Sequence, residues 1–321
     1  MSASSSAPAA RRQMISKPDG IQGGVVLSMR ITIVCVPYQV DVTRWGSARG
    51  PQAFLDHGLK QRLEERGHRV ASPVWMELPT SERTRDTVTN LGRIARRTAA
   101  AVHAALQEEQ GFALVLEGDC THAVGAIGGL AQTEGNPGVV WFDAHGDLHT
   151  MQTTTSGFLG GMPYAVALGW DLQDWRLAAG LEPALRPEAA VLVGGCDLDQ
   201  AEIAALERSP ILHVQTETLM RSDVAERMQT ALRPRTIEAR AWYLHLDLDV
   251  GGPEVCPGGL TPAPSWPPAG HLLAAAGATA RTLPIKVASL AVYNPSADTD
   301  GRGVQFGLEM AMATIDGVAG V

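Results

Sequence analysis

Residues 138–147 read Gly-Val-Val-Trp-Phe-Asp-Ala-His-Gly-Asp. The apolar run is too short for a helix and has no polar alternation. It reads as a strand buried on both faces, with a polar cargo at its carboxyl end. The pattern recurs along the chain: RITIVCVP (30–37), FALVLEG (112–118), AAVLVGGCDLD (189–199), ILHVQ (211–215), AWYLHLDLDV (241–250) and IKVASLAVYNP (285–295). HRVASPVWM (68–76) looks like a further strand. Helical spacing of apolar residues falls between them, in 50–67, 81–111 and 122–132. Gly67 offers a stop for the first of these. Alternation of this kind predicts an α/β fold, a three-layer αβα arrangement with a mainly parallel sheet and helices on both faces.

The 321 residues carry no internal repeat and no evident linker, so one domain is expected over 29–321. Residues 1–28 are dominated by Ser, Ala, Pro and Gly, lack an apolar signal core, and read as a disordered extension. A net charge of −8 argues against nucleic acid as a partner. No apolar run is long enough to span a membrane. Four cysteines without CxxC spacing fit a reduced, cytoplasmic protein rather than a disulfide scaffold.

The polar groups cluster at the predicted strand ends, where ligands sit in such sheets. Asp143, His145 and Asp147 are spaced by two, as are Asp247 and Asp249. If the strands persist, each set aims at one face. Buried aspartates without a lysine or arginine nearby need another counter-charge, and a divalent cation supplies one. Four carboxylates and one imidazole suit a hard or borderline ion such as Mn²⁺, and are too many for one tetrahedral ion. The competing reading is that each Asp-x-Asp merely caps a turn.

Ordered motifs then resemble those of the ureohydrolases, the arginases and agmatinases. GPQAFLDHGL (50–59) is similar to the family's early helix. EGDCTH (117–122) stands where the family has Gly-Gly-Asp-His-Ser. WFDAHGD (141–147) matches Asp-Ala-His-x-Asp, and TTTSG (153–157) resembles the arginase substrate loop. CDLDQAE (196–202) resembles Arg-Asp-Val-Asp-x-x-Glu, HLDLDV (245–250) Ser-Phe-Asp-Val-Asp, and YNP (293–295) the late Val-Asn-Pro.

The resemblance implies two manganese ions and hydrolysis of a guanidinium group. It implies Asp143, His145, Asp147, Asp247 and Asp249 as ligands, with Asp143 and Asp247 bridging. Cys120 takes the place of the sixth ligand, a histidine, and as a soft donor leaves one Mn²⁺ weakly held. His122 is expected to be a packed or solvated histidine, not a replacement ligand. Asp147, Asp249 and His149 are the expected catalytic groups. Thr154 and Ser156 would hold an α-carboxylate, and Asp199 and Glu202 an α-ammonium, although TTTSG also reads as an ordinary Ser/Thr turn.

Three departures from the arginase pattern affect the substrate: Cys120, Gly160 (with Phe158) in place of a loop histidine and asparagine, and Val292 in place of the glutamate that meets the guanidinium. His149 replaces an asparagine. A cysteine at position 120 resembles the branch of the family acting on Nω-hydroxy-L-arginine in D-cycloserine biosynthesis, giving hydroxyurea and L-ornithine. Plain arginase activity, hydrolysis of another guanidino acid, and a non-catalytic amino-acid-binding protein are the alternatives. The resemblance also leaves a homo-oligomer open.

Overall fold

The computed structural model describes residues 27–257 and 266–321. Of the expected disordered extension, all but Leu27 and Ser28 lies outside the described residues; the Leu27 amide donates to the Ala319 carbonyl and the Ser28 hydroxyl to that of Gly67.

In chain order the strands are β1 (Arg30–Val36), β2 (Arg69–Val70), β3 (Val74–Trp75), β4 (Gly111–Glu117), β5 (Gly138–Asp143), β6 (Ala190–Gly194), β7 (Leu212–Gln215), β8 (Trp242–Asp247) and β9 (Ile285–Ala291). They form one sheet in the order β2-β1-β4-β9-β8-β5-β6-β7, with β3 also on β1. Every pairing between these strands is parallel. The helices are α1 (Gly50–Asp56), α2 (Leu59–Glu65), α3 (Thr87–Leu106), α4 (Ala123–Glu134), α5 (Pro163–Ala167), α6 (Gln173–Ala178), α7 (Gln200–Glu207), α8 (Thr216–Leu219), α9 (Val224–Leu232), α10 (Gly252–Val255), α11 (Ala269–Thr282) and α12 (Arg302–Ala319).

The period-two geometry of the strands divides the core. Ile31, Ile33, Leu116, Val140, Phe142, Leu244 and Leu246 pack on one face with α1, α2, α9, α11 and α12. Val34, Val36, Val115, Val139, Trp141 and Tyr243 pack on the other with α3, α4 and α5. The expected three-layer αβα fold is therefore present.

Three local expectations need correction. The single helix over 50–67 is two, because Gly58 adopts φ 84 between α1 and α2, a left-handed conformation that breaks the helix. The strand expected over 68–76 is two short pieces, β2 and β3, with Pro73 between them unable to donate a ladder bond. The helix expected over 81–111 covers only 87–106; Asp86 accepts from the Thr89 amide and fixes its start.

Candidate metal centre

Strands β4, β9, β8 and β5 are neighbours in the sheet, so their carboxyl ends converge. At the end of β4, a Cβ on Gly118 would come 2.0 Å from the Tyr38 carbonyl oxygen, so only glycine permits the close approach there. Asp119 then caps the turn, accepting from the amides of Thr121 at 3.1 Å and Val40 at 2.6 Å. This turn sets Cys120 facing β8, where its thiol donates to Asp247 Oδ2 at 2.8 Å.

Neither Asp-x-Asp motif lies in a continuing strand. β5 stops at Asp143 and β8 at Asp247. Asp143 Oδ1 accepts from the His145 amide at 2.7 Å, and Asp247 Oδ1 from the Asp249 amide at 2.8 Å. The turn-capping reading is thus literally met, yet it does not exclude ion binding, because a carboxylate retains further lone pairs. Convergence comes from these turns, not from strand alternation. Asp147 sits at φ 51, a strained position for a non-glycine residue, of the kind found where a side chain must be aimed.

The turns are tied together. Asp249 Oδ1 accepts from the Ala144 amide at 3.3 Å, and His145 Nδ1 lies 3.1 Å from Asp143 Oδ1 and 3.3 Å from Asp249 Oδ2. Two compact donor groups result, each with its donor atoms within 4.8 Å of one another: Cys120, Asp143, His245 and Asp247 in one, and Asp143, His145 and Asp249 in the other. Asp143 belongs to both. Asp147 is buried in the same cleft with Oδ2 unpartnered, but outside both compact groups.

The cleft holds about 490 Å³. Among the described residues lining it there is no lysine or arginine. Burial, followed by the charges of neighbouring carboxylates, raises Asp147 and Asp247 well above the usual carboxylate range, and Asp143 is raised as well. Burial also lifts the Cys120 thiol, and Asp247 adds to the effect. For His145, burial opposes the charged ring, but hydrogen bonds and charge from Asp143 and Asp249 outweigh it and raise its pKa far above the ordinary histidine value. Deeply buried carboxylates, an orphaned carboxylate oxygen and mixed O, N and S donors fit a site for divalent cations.

A pH dependence follows for chelated protein. With its pKa raised, His145 holds its proton to higher pH in the folded chain than an unfolded histidine, which loses it above about pH 6.5, and the raised Asp143, Asp147 and Asp247 act in the same direction. The folded state then binds more protons, so stability falls as pH rises beyond that point. The melting temperature of EDTA-treated protein is expected to drop from about pH 7 to about pH 9, and saturating Mn²⁺ to flatten the slope if His145 coordinates it, because only the neutral ring can act as a ligand. A slope unaltered by Mn²⁺ would contradict this role for His145.

At the mouth of the cleft, His149 Nε2 lies 3.1 Å from Asp199 Oδ2, and its Nδ1 lies 3.2 Å from Thr153 Oγ1. Asp199 and Glu202 form a capping box at the start of α7. Glu202 also accepts from the Leu148 amide at 3.3 Å, so both its oxygens hold backbone groups. Thr154 Oγ1 accepts from the Gly157 amide and Ser156 Oγ from the Phe158 amide. TTTSG is therefore a Ser/Thr turn in which Thr154 and Ser156, whose hydroxyls act here as acceptors, line the cleft, while the Thr153 hydroxyl donates to the Thr150 carbonyl. Buried His122 is packed as expected, with Nε2 3.0 Å from the Tyr38 carbonyl.

Sequence reasoning passed over His245, and with it Tyr243 and Ser289, whose hydroxyls lie 2.9 Å from its Nδ1; Glu117 Oε2 lies 3.7 Å from the same nitrogen. The available signal was the spacing of Tyr243, His245 and Asp247 by two along β8.

Comparison with known proteins gives a consistent picture. Residues 29–315 match the model of the Arginase family. The chain is 33% identical to the arginase of Bacillus caldovelox over 243 residues, covering 72% of this chain and 80% of that one. The native structure of the Bacillus caldovelox arginase superposes with a TM-score of 0.81 at 27% identity, covering 89% of this chain and 98% of that one. An Entamoeba histolytica arginase, solved in complex with L-ornithine, has the same fold, with a TM-score of 0.79 at 20% identity over 90% and 98% of the two chains.

Proposed function

Because the chain belongs to the arginase family and is thereby a hydrolase of amidino C–N bonds, we propose that its substrate is Nω-hydroxy-L-arginine, which water converts to hydroxyurea and L-ornithine. The observation that carries this reading is Val292. It lines the cleft beside Cys120, buried, where the arginase motif places the glutamate that meets a cationic guanidinium. An N-hydroxyguanidine is less basic, reaches the site more readily as a neutral group, and needs that carboxylate less.

Asp143, His145, Asp147, Asp247 and Asp249 would hold two divalent ions, Mn²⁺ by family habit, with Cys120 weakening one of them. Bound there, the pair supplies a water that gives up its proton near neutral pH. Asp143 and Asp247 hold the backbone turns that set the donors in place. Asp249, fixed by the Ala144 amide, orients His145. Asp147 would carry a proton toward the departing amine, a role supported by its buried and unpartnered oxygen. His149, steered by Asp199, faces the cleft where the substrate hydroxyl would lie. Thr154 and Ser156 would donate to the α-carboxylate. Asp199 would accept from the α-ammonium, while Glu202 shapes the same end through its amide contacts. The domain carrying these groups is residues 29–321, with 1–28 as an extension to it.

Plain arginase activity is the second reading, favoured by the names of the relatives. A panel of L-arginine, Nω-hydroxy-L-arginine and agmatine, scored for urea, hydroxyurea and ornithine with added Mn²⁺, separates the two. Hydroxyurea and ornithine from Nω-hydroxy-L-arginine should dominate. Equal or faster turnover of L-arginine would reject the specialised substrate.

A further inference from the structure

Strand β8 presents Tyr243, His245 and Asp247 on one face. His245 is wholly buried. Its ring stacks on Trp141 with centroids 3.8 Å apart, and its Nδ1 lies 2.9 Å from both the Tyr243 hydroxyl and Ser289 Oγ. Its Nε2 has no hydrogen-bond partner. A ring nitrogen of this histidine, the Cys120 sulfur and an oxygen from each of Asp143 and Asp247 lie within 4.8 Å of one another. A buried histidine that only satisfied Tyr243 and Ser289 would account for Nδ1 and leave Nε2 desolvated without return.

Both replacements are visible against the family motifs quoted above. Position 120 has exchanged histidine for cysteine, and position 245 has exchanged serine for histidine. Resting on the metal-centre reading, we infer that His245 Nε2 is a ligand of the inner ion, and that the inner site (Cys120, His245, Asp143 and Asp247) selects a Zn²⁺-class ion over Mn²⁺. The imidazole lost from the turn after β4 is regained from β8. One thiolate, one imidazole and two carboxylates form a borderline-soft donor set that favours Zn²⁺ or Co²⁺, whereas Asp143, His145 and Asp249 offer the harder oxygen-rich set that Mn²⁺ accepts. Zn–S and Zn–N bonds of about 2.3 and 2.0 Å bring donor atoms roughly 3.5 Å apart, inside the 4.8 Å that bounds the observed group.

The test is metal selection by the full-length protein. Wild type dialysed against equimolar Zn²⁺ and Mn²⁺ is expected to retain one zinc per chain. Zinc-edge X-ray absorption at one equivalent should show one sulfur and one imidazole among the zinc neighbours. Co²⁺ at one equivalent should give a thiolate charge-transfer band with intense visible absorption. His245→Ser, which installs the motif's own residue, should weaken Zn²⁺ binding by about 10–100-fold or more and collapse the visible intensity, while Mn²⁺ still binds at the outer site. A sulfur neighbour without imidazole in wild type, or unchanged zinc affinity in a folded His245→Ser, overturns the inference and leaves the dinuclear reading standing. Two manganese ions with no zinc retained has the same consequence. No ion bound at either site overturns both. The wild-type absorption measurement decides the matter even if the variant does not fold.

Discussion

Asp247→Asn is expected to abolish tight binding of the inner ion and to lower kcat/KM by more than about 10³-fold. Asp247 closes β8, accepts the Cys120 thiol and the Asp249 amide, and belongs to the inner donor group. Loss of a residue that merely supports a ligand costs about 10–100-fold in metal affinity or activity, and a ligand itself costs more. The amide side chain keeps one oxygen for the Asp249 amide, so the turn survives. The fold should therefore be stable: the buried carboxylate is raised well above its usual range by burial and by Asp249, and removing its charge relieves that repulsion when no cation is present. Metal analysis, steady-state kinetics and a melting curve on the same preparation check all three parts. A variant that keeps its ion and most of its activity would remove Asp247 from the site.

Val292→Glu is expected to shift the preference between substrates. L-Arginine should gain in kcat/KM relative to Nω-hydroxy-L-arginine by about 30-fold or more, because a desolvated cation left without its partner costs roughly 2–5 kcal/mol. Val292 is buried and lines the cleft. Its φ of 63 is unfavourable for a β-branched residue, and glutamate, unbranched at Cβ, is no worse suited to it. An apolar side chain thus stands in the cleft where the family motif has a charge. Competition between the two substrates, read as the urea to hydroxyurea ratio, measures the shift. An unchanged ratio in a folded variant would mean that Val292 does not set the substrate.

Much of this molecule was legible in its sequence because buried parallel strands leave an unmistakable signature. The runs ending at Glu117 and Asp143 are apolar throughout, the run ending at Asp247 is apolar but for His245, all three stop at carboxylates, and the structure ends β4, β5 and β8 at those residues. The motif order led to the family that the comparisons then showed. What the sequence concealed was set by contacts rather than spacing. Strand persistence past Asp143 and Asp247 looked sound from the spacing by two, but side-chain oxygens capture the following amides and turn the chain. Glu202 looked like a substrate partner, yet its oxygens are also engaged by the capping box and by Leu148. His245 escaped notice because a lone histidine within an apolar strand reads as packing. Only the approach of β4 and β5 to β8 gives it Cys120 and Asp143 as neighbours.

The most direct test of the central claim is a crystal structure of the metal-loaded protein with anomalous diffraction collected at the manganese and zinc edges. Two anomalous peaks about 3.5–4 Å apart, with Asp143 between them, are predicted. The peak beside Cys120 should scatter as zinc when both metals are supplied. Absence of any peak among Asp143, His145, Asp247 and Asp249 would contradict the account.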